Sequence, residues 1–145
     1  MTTAFEGGCL CGAVRYESGS DPIGGGHCYC EDCRRSSGTG HCSHVIVPEQ
    51  ALGVTGEVRF FEMLADSGNV VGRGFCPTCG AAVYSLNSGM PGMVFVRASS
   101  LDDPAVFRPQ IVVYASRAPS WDKPGAGLPT FDEMPPPADM PVPSA

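Results

Sequence analysis

The sequence predicts a small, mainly β single domain held together by metal, and three observations carry that expectation. Its apolar runs are short and rich in β-branched or aromatic residues. Its 19 glycines and 14 prolines divide 145 residues into brief pieces. Its eight cysteines fall mostly in clusters whose spacing suits a metal better than a disulfide. Short apolar runs bounded by Gly, Pro, Ser or Asp read as strands, and no long stretch carries the 3.6-residue period of a helix.

The length is close to the modal size of one domain, and residues 5–134 are expected to form it. In chain order, strands are expected at Ala13–Tyr16, His44–Val47, Val58–Met63, Ala82–Leu86, Met93–Arg97 and Ile111–Tyr114. Within Glu57–Met63 the order E-V-R-F-F-E-M alternates imperfectly, which suits a sheet with one wet face. Asp66-Ser-Gly-Asn69 reads as a hairpin turn, because Gly and Asn tolerate positive φ. The single helical turn is expected at Glu31–Ser37. Beyond Ala118 the chain is loop-like, and residues 135–145 form an extended proline-rich tail with too few apolar groups to fold alone.

The net charge is −6 and Lys123 is the only lysine, so no basic stripe exists to displace counterions from nucleic acid. No apolar run approaches the roughly 20 residues of a membrane span, and no hydrophobic leader follows Met1. A cytoplasmic location is therefore expected, where thiols stay reduced and serve as metal ligands.

The cysteines divide by spacing. Cys76-Pro-Thr-Cys79-Gly80 resembles half of a zinc ribbon, and Cys9-x-Cys11-Gly12 is the natural second half. Joined, the four would form a closed structural site contributing on the order of 10 kcal/mol to folding. Cys28, Cys30 and Cys33 remain as a three-sulfur cluster, and three protein ligands leave a fourth position for chemistry. The competing reading closes this second site with Cys42, His27, His41 or His44. Three thiolates make zinc a poor generator of hydroxide, so peptide or phosphate hydrolysis is disfavoured and a thiol substrate favoured. Arg34, Arg35 and Ser36 follow the cluster directly and could seat substrate carboxylates, with surface pairing to Glu31 and Asp32 as the plain alternative. His27 abuts the cluster and could move a proton. Trp121 could line a pocket, although packing is the commoner role of an aromatic. Cys42 could equally be a small buried hydrophobe.

Three linked motifs, G-G-C-L-C-G-A-V-R-Y (7–16), H-C-Y-C-E-D-C-R-R-S-S-G (27–38) and F-C-P-T-C-G (75–80), resemble the glutathione-dependent formaldehyde-activating enzyme family, also called the centromere-protein-V/GFA domain. R-A-S-S-L-D-D-P (97–104), Trp121 and Leu128-Pro129 extend the likeness. The resemblance implies a β-tent fold, two zinc ions per chain, and reversible joining of formaldehyde and glutathione into S-hydroxymethylglutathione. It assigns Cys9, Cys11, Cys76 and Cys79 to the structural zinc and Cys28, Cys30 and Cys33 to the catalytic zinc. Expected partners are a glutathione-like thiol and an aldehyde, with neither nucleic acid nor membrane. Two other readings stand beside it: a non-catalytic, zinc-stabilised binding module, and a family enzyme using another thiol or aldehyde.

Overall fold

The computed structural model describes residues 2–136, so most of the proline-rich tail (137–145) lies outside the described residues. Among the described residues, ten strands and one α-helix make a mainly β single domain. They are β1 (Phe5–Gly8), β2 (Arg15–Ser18), β3 (Gly24–Cys28), α1 (Glu31–Ser37), β4 (Cys42–Pro48), β5 (Leu52–Thr55), β6 (Arg59–Leu64), β7 (Val70–Phe75), β8 (Ala82–Asn87), β9 (Met93–Arg97) and β10 (Ile111–Val113).

Two sheets result. The smaller runs β1-β2-β5 and is antiparallel; the larger runs β10-β3-β4-β9-β8-β7-β6, with only the β10–β3 pair parallel. The core between them is built largely of valine: Val14, Val45, Val47, Val83, Val94 and Val96 are each at most 1% exposed. β-Branched residues suit such a surface because their stiff side chains pack well on a pleat. Phe5 and Tyr16 close the core from the smaller sheet, and Cys9 and Cys76 belong to the same cluster. The two ends of the large sheet also meet, since Arg117, just past β10, reaches Asp66 in the β6–β7 turn at 2.7 Å.

Helix α1 spans the expected residues, and Gly68 at φ 88° makes the expected turn between β6 and β7. Two differences have physical causes. The strand expected at Ala13–Tyr16 begins at Arg15, because Cys9 N–H donates to the Val14 carbonyl and folds Ala13 and Val14 into a cysteine knuckle. Strands β1, β3, β5 and β7 were not foreseen, and each contains glycine, which carries little strand propensity. In β1, β3 and β7 glycine serves as clearance. A Cβ on Gly7 would collide with the Tyr16 hydroxyl and the Ser100 carbonyl, and one on Gly26 with the Ile111 carbonyl.

Candidate metal centres

All eight cysteines are free thiols. Cys9 and Cys11 stand on the turn between β1 and β2, Cys76 and Cys79 on that between β7 and β8. In each knuckle the glycine after the second cysteine is left-handed, Gly12 at φ 85° and Gly80 at φ 77°, a conformation glycine adopts without steric penalty. The turns aim amides at sulfur: Val14 N–H donates to Cys9 Sγ at 3.2 Å and Thr78 N–H to Cys76 Sγ at 3.4 Å. Cys9 and Cys11 Sγ lie 3.7 Å apart, and Cys11 and Cys76 Sγ 3.8 Å. A zinc tetrahedron with bonds of about 2.3 Å has sulfur–sulfur edges of about 3.8 Å. The four sulfurs, all within 4.8 Å of one another, therefore fit such an ion.

The second cluster joins a strand end to a helix start. Cys28 ends β3, Cys30 is the N-cap of α1, and Cys33 is buried in its first turn. Cys30 Sγ accepts the Cys33 N–H at 3.2 Å, so sulfur takes the place of the usual oxygen cap. The three sulfurs also lie within 4.8 Å of one another, and among the described residues no fourth Cys, His, Asp or Glu joins them. Hydrogen bonds from Cys28 and Cys33, helped by the charge of Arg73, hold Cys30 well below the usual thiol range. Its partners move the other way, Cys28 up to about 12 and Cys33 also raised. A soft cation binding there displaces the remaining thiol protons.

Cys42 stands apart from the trio. Its Sγ donates to the Cys33 carbonyl at 3.0 Å and accepts from Arg97 Nη1 at 2.8 Å. Arg97 Nη2 donates to Ser36 Oγ at 3.1 Å, and Ser36 donates in turn to the Cys33 carbonyl. Arg97, only 4% exposed and with no carboxylate partner among the described residues, thus ties β9 to α1 and β4.

Strand alternation sorts the histidines. Cys28 pairs with Cys42 and His44 with Arg97, so these four side chains share one sheet face. His44 is pushed down to about 3 by burial, then by Arg97 and Arg73, and so stays neutral. His27 is turned to the opposite face, where its Nδ1 meets Ser43 Oγ at 2.8 Å and its ring stands edge-on to His41. His41 Nδ1 lies 2.6 Å from Asp122 Oδ2, and its ring stacks on Tyr29.

The other expected site residues spread out. Arg35 donates to Glu31 at 2.9 Å on the exposed side of α1, whereas Arg34 has no ion pair among the described residues. Trp121 is 68% exposed. A cleft of about 910 Å³ runs from the Cys9 knuckle to the end of α1, and Ser36, Cys42 and Arg97 line it while Cys28, Cys30 and Cys33 do not. The sequence reading gave His44 no more weight than the other histidines and did not single out Arg73 or Arg97. For His44 the signal was present: Cys-x-His on a strand puts both side chains on one face. For the arginines no local signal exists, because their neighbours come from strands distant in sequence.

The family profile described as "Glutathione-dependent formaldehyde-activating enzyme" matches residues 4–117. A curated protein of Halomonas elongata named "Putative glutathione-dependent formaldehyde-activating enzyme" is 29% identical over 123 residues, covering 81% of this chain and 78% of that one. A Rhodobacter sphaeroides protein of solved crystal structure has the same fold at TM-score 0.54 and 22% identity, over 69% of this chain and 92% of its own.

Proposed function

The chain belongs to the glutathione-dependent formaldehyde-activating enzyme family, and from that premise we propose that it is a zinc-dependent carbon–sulfur lyase or synthase. Its substrate is a thiol–aldehyde adduct of the S-hydroxymethylglutathione type. The observation that carries this reading is the trio Cys28, Cys30 and Cys33, three convergent sulfurs that neither Cys42 nor a histidine completes. Cys9, Cys11, Cys76 and Cys79 hold the second, structural zinc, and the reducing cytoplasm keeps both sets of thiols available.

Zinc bound by three thiolates supplies a thiophilic centre that keeps a substrate sulfur ionised and nucleophilic at neutral pH. The chain supplies the rest. As the sulfur–carbon bond forms, the carbonyl π pair moves to oxygen, which takes up a proton; the reverse breaks the same bond and returns the proton. Water on the face of the trio moves that proton, oriented by neutral His44; His27, paired with Ser43 on the far face of β3, is the alternative proton carrier. Arg34, with Arg35 where it is released from Glu31, seats substrate carboxylates beside Ser36, and Trp121 offers an exposed aromatic wall.

Cys30→Ser should lose one of two zinc ions and all adduct turnover while keeping the β-sheet circular dichroism. Retention of both metals and of turnover in that variant would overturn the mechanism. Paired His44→Gln and His27→Gln variants apportion the proton step: a larger fall in kcat for His44→Gln supports the assignment, and the converse moves the role to His27. A cobalt-substituted protein whose spectrum ignores added glutathione would instead favour a non-catalytic binding module. A panel of thiols and aldehydes identifies the pair that this chain uses.

A further inference from the structure

Two buried side-chain nitrogens lack any hydrogen-bond partner among the described residues, and both belong to arginines of the large sheet: Arg73 Nη1 and Arg97 Nε. Neither arginine has an acidic partner there. Protein interiors rarely leave a guanidinium N–H without an acceptor, and such an exception calls for an explanation. The two differ in what else they hold. Arg97 commits both Nη atoms, to Cys42 and to Ser36, and so braces α1. Arg73 makes no side-chain hydrogen bond or ion pair among the described residues.

Register places Arg73 on the face of the cysteine trio. Arg73 pairs with Ser85, Ser85 with Phe95, Phe95 with Ile46, and Ile46 stands two residues from His44 on β4. Side chains in such a row share one face, and His44, Cys42 and Cys28 follow on it. The ends of the sheet come together through Arg117 and Asp66, which brings β7 towards β10 and β3. The guanidinium is close enough for its charge to act on His44, which shares that face. Gly72 and Gly74 flank Arg73 on the other face, and its neighbour on β6 is Phe61, 61% exposed. The surroundings are thus a cation without a carboxylate partner among the described residues, an exposed aromatic ring and a thiolate cluster.

We propose that Arg73 is a carboxylate-binding specificity residue, which takes one carboxylate of an anionic thiol and so sets its sulfur against Cys28, Cys30 and Cys33. This site is separate from Arg34 and Arg35, which lie on α1, and a thiol with two carboxylates, one at each end, can engage both. The inference rests on the thiol-adduct reading of the trio, and its test is chosen to separate the two. S-Methylglutathione carries the carboxylates of glutathione but no ionisable sulfur, so its binding reads the carboxylate seats without the chemistry.

Calorimetric titration of the zinc-loaded protein with S-methylglutathione should show binding that weakens at least tenfold in Arg73→Gln, partly restored in Arg73→Lys, with two zinc ions retained throughout. Esterifying one of the two ligand carboxylates should weaken wild-type binding as much as Arg73→Gln does and have little further effect in that variant. In turnover, Arg73→Gln should raise KM for glutathione with a smaller change in kcat. Equal binding of S-methylglutathione by wild type and Arg73→Gln would overturn the proposal, whether or not adduct turnover is found. Binding lost together with zinc in Arg73→Gln but kept with zinc in Arg73→Lys, without selectivity between acid and ester, would make Arg73 a brace for the cysteine trio and would also overturn it. Arg73-dependent binding without adduct turnover would leave the anion seat standing and remove the proposed reaction.

Discussion

His27 is the chain neighbour of Cys28, yet His44 is the histidine that shares its sheet face, because side chains alternate along a strand. The same rule explains Cys42, which pairs directly with Cys28 and comes near the cluster without joining it. Its sulfur is a hydrogen-bond junction between the Cys33 carbonyl and Arg97. Hydrogen bonding to Cys33, with the charge of Arg97, draws this thiol down to about 7. Cys42→Ala should therefore leave two zinc ions bound but strip Arg97 of one acceptor. Leaving a buried charged donor unpaired costs about 1–3 kcal/mol, so its unfolding midpoint should fall by several degrees, with Cys42→Ser in between. Loss of one zinc from Cys42→Ala would show instead that Cys42 is a ligand. At this scale the identity of the seven clustered cysteines was legible from spacing alone, since a knuckle is a local structure. The roles of Cys42, His44, Arg73 and Arg97 were not, because each depends on a partner strand.

Elements were readable where their signal is local. Helix α1 is foretold by the polar run after Cys30, and its start is fixed by that sulfur capping the Cys33 amide. β8, β9 and β10 are foretold by β-branched and aromatic runs. The glycine-bearing strands escaped because their sequence reflects what lies against them. In β3, G-G-G-H-C, Gly25 and Gly26 leave room for the backbones of β4 and β10, whose strands press from either side. Gly26→Ala should force β10 away from β3, with an overpacking cost of about 1–3 kcal/mol, and should loosen Cys28 at the end of the same strand. Gly53→Ala on β5 is the control, because its Cβ would meet only Glu17 Cγ at 3.9 Å. That change should be neutral or stabilising by up to about 1 kcal/mol, through a less flexible unfolded chain. Thermal unfolding of the two variants side by side distinguishes them. Equal midpoints would mean that β3 and β10 are not packed as closely as this register requires.

At the scale of the molecule, the two cysteine clusters are placed to do different mechanical work. The ribbon joins knuckles at Cys9–Cys11 and Cys76–Cys79, so it ties the smaller sheet to the far half of the larger one, and Cys9 and Cys76 are part of the core itself. The trio joins only β3 to the adjacent helix. The mainly β class, the presence of both clusters and their division were legible in sequence. The strand order was not, since placing β10 parallel to β3 joins segments more than eighty residues apart that share no local signal.

That division fixes the order in which metal should leave on acidification. Ligand thiols must lose their protons to bind, so falling pH returns protons and expels the ion; affinity is present at high pH and lost as pH falls. The sites differ in resistance. Each site mixes lowered and raised thiols: Cys79 is drawn down to about 6, chiefly by the Ala81 amide, and Cys30 lies well below the usual range, whereas Cys11 is raised to about 11, Cys28 to about 12, and Cys33 is raised as well. Proton affinity therefore does not rank the sites, but donor number does, because three donors grip less than four. Lowering the pH of the two-zinc protein in the presence of a chromogenic chelator should therefore release one equivalent first, with the sheet dichroism intact and adduct turnover already gone. The second should leave at lower pH together with the fold, because removing it opens the core at Cys9 and Cys76. Cys30→Ser should lack the first step and keep the second. Simultaneous release of both ions with unfolding would show that the trio also holds the fold together, and would remove the distinction between a structural and a chemical site.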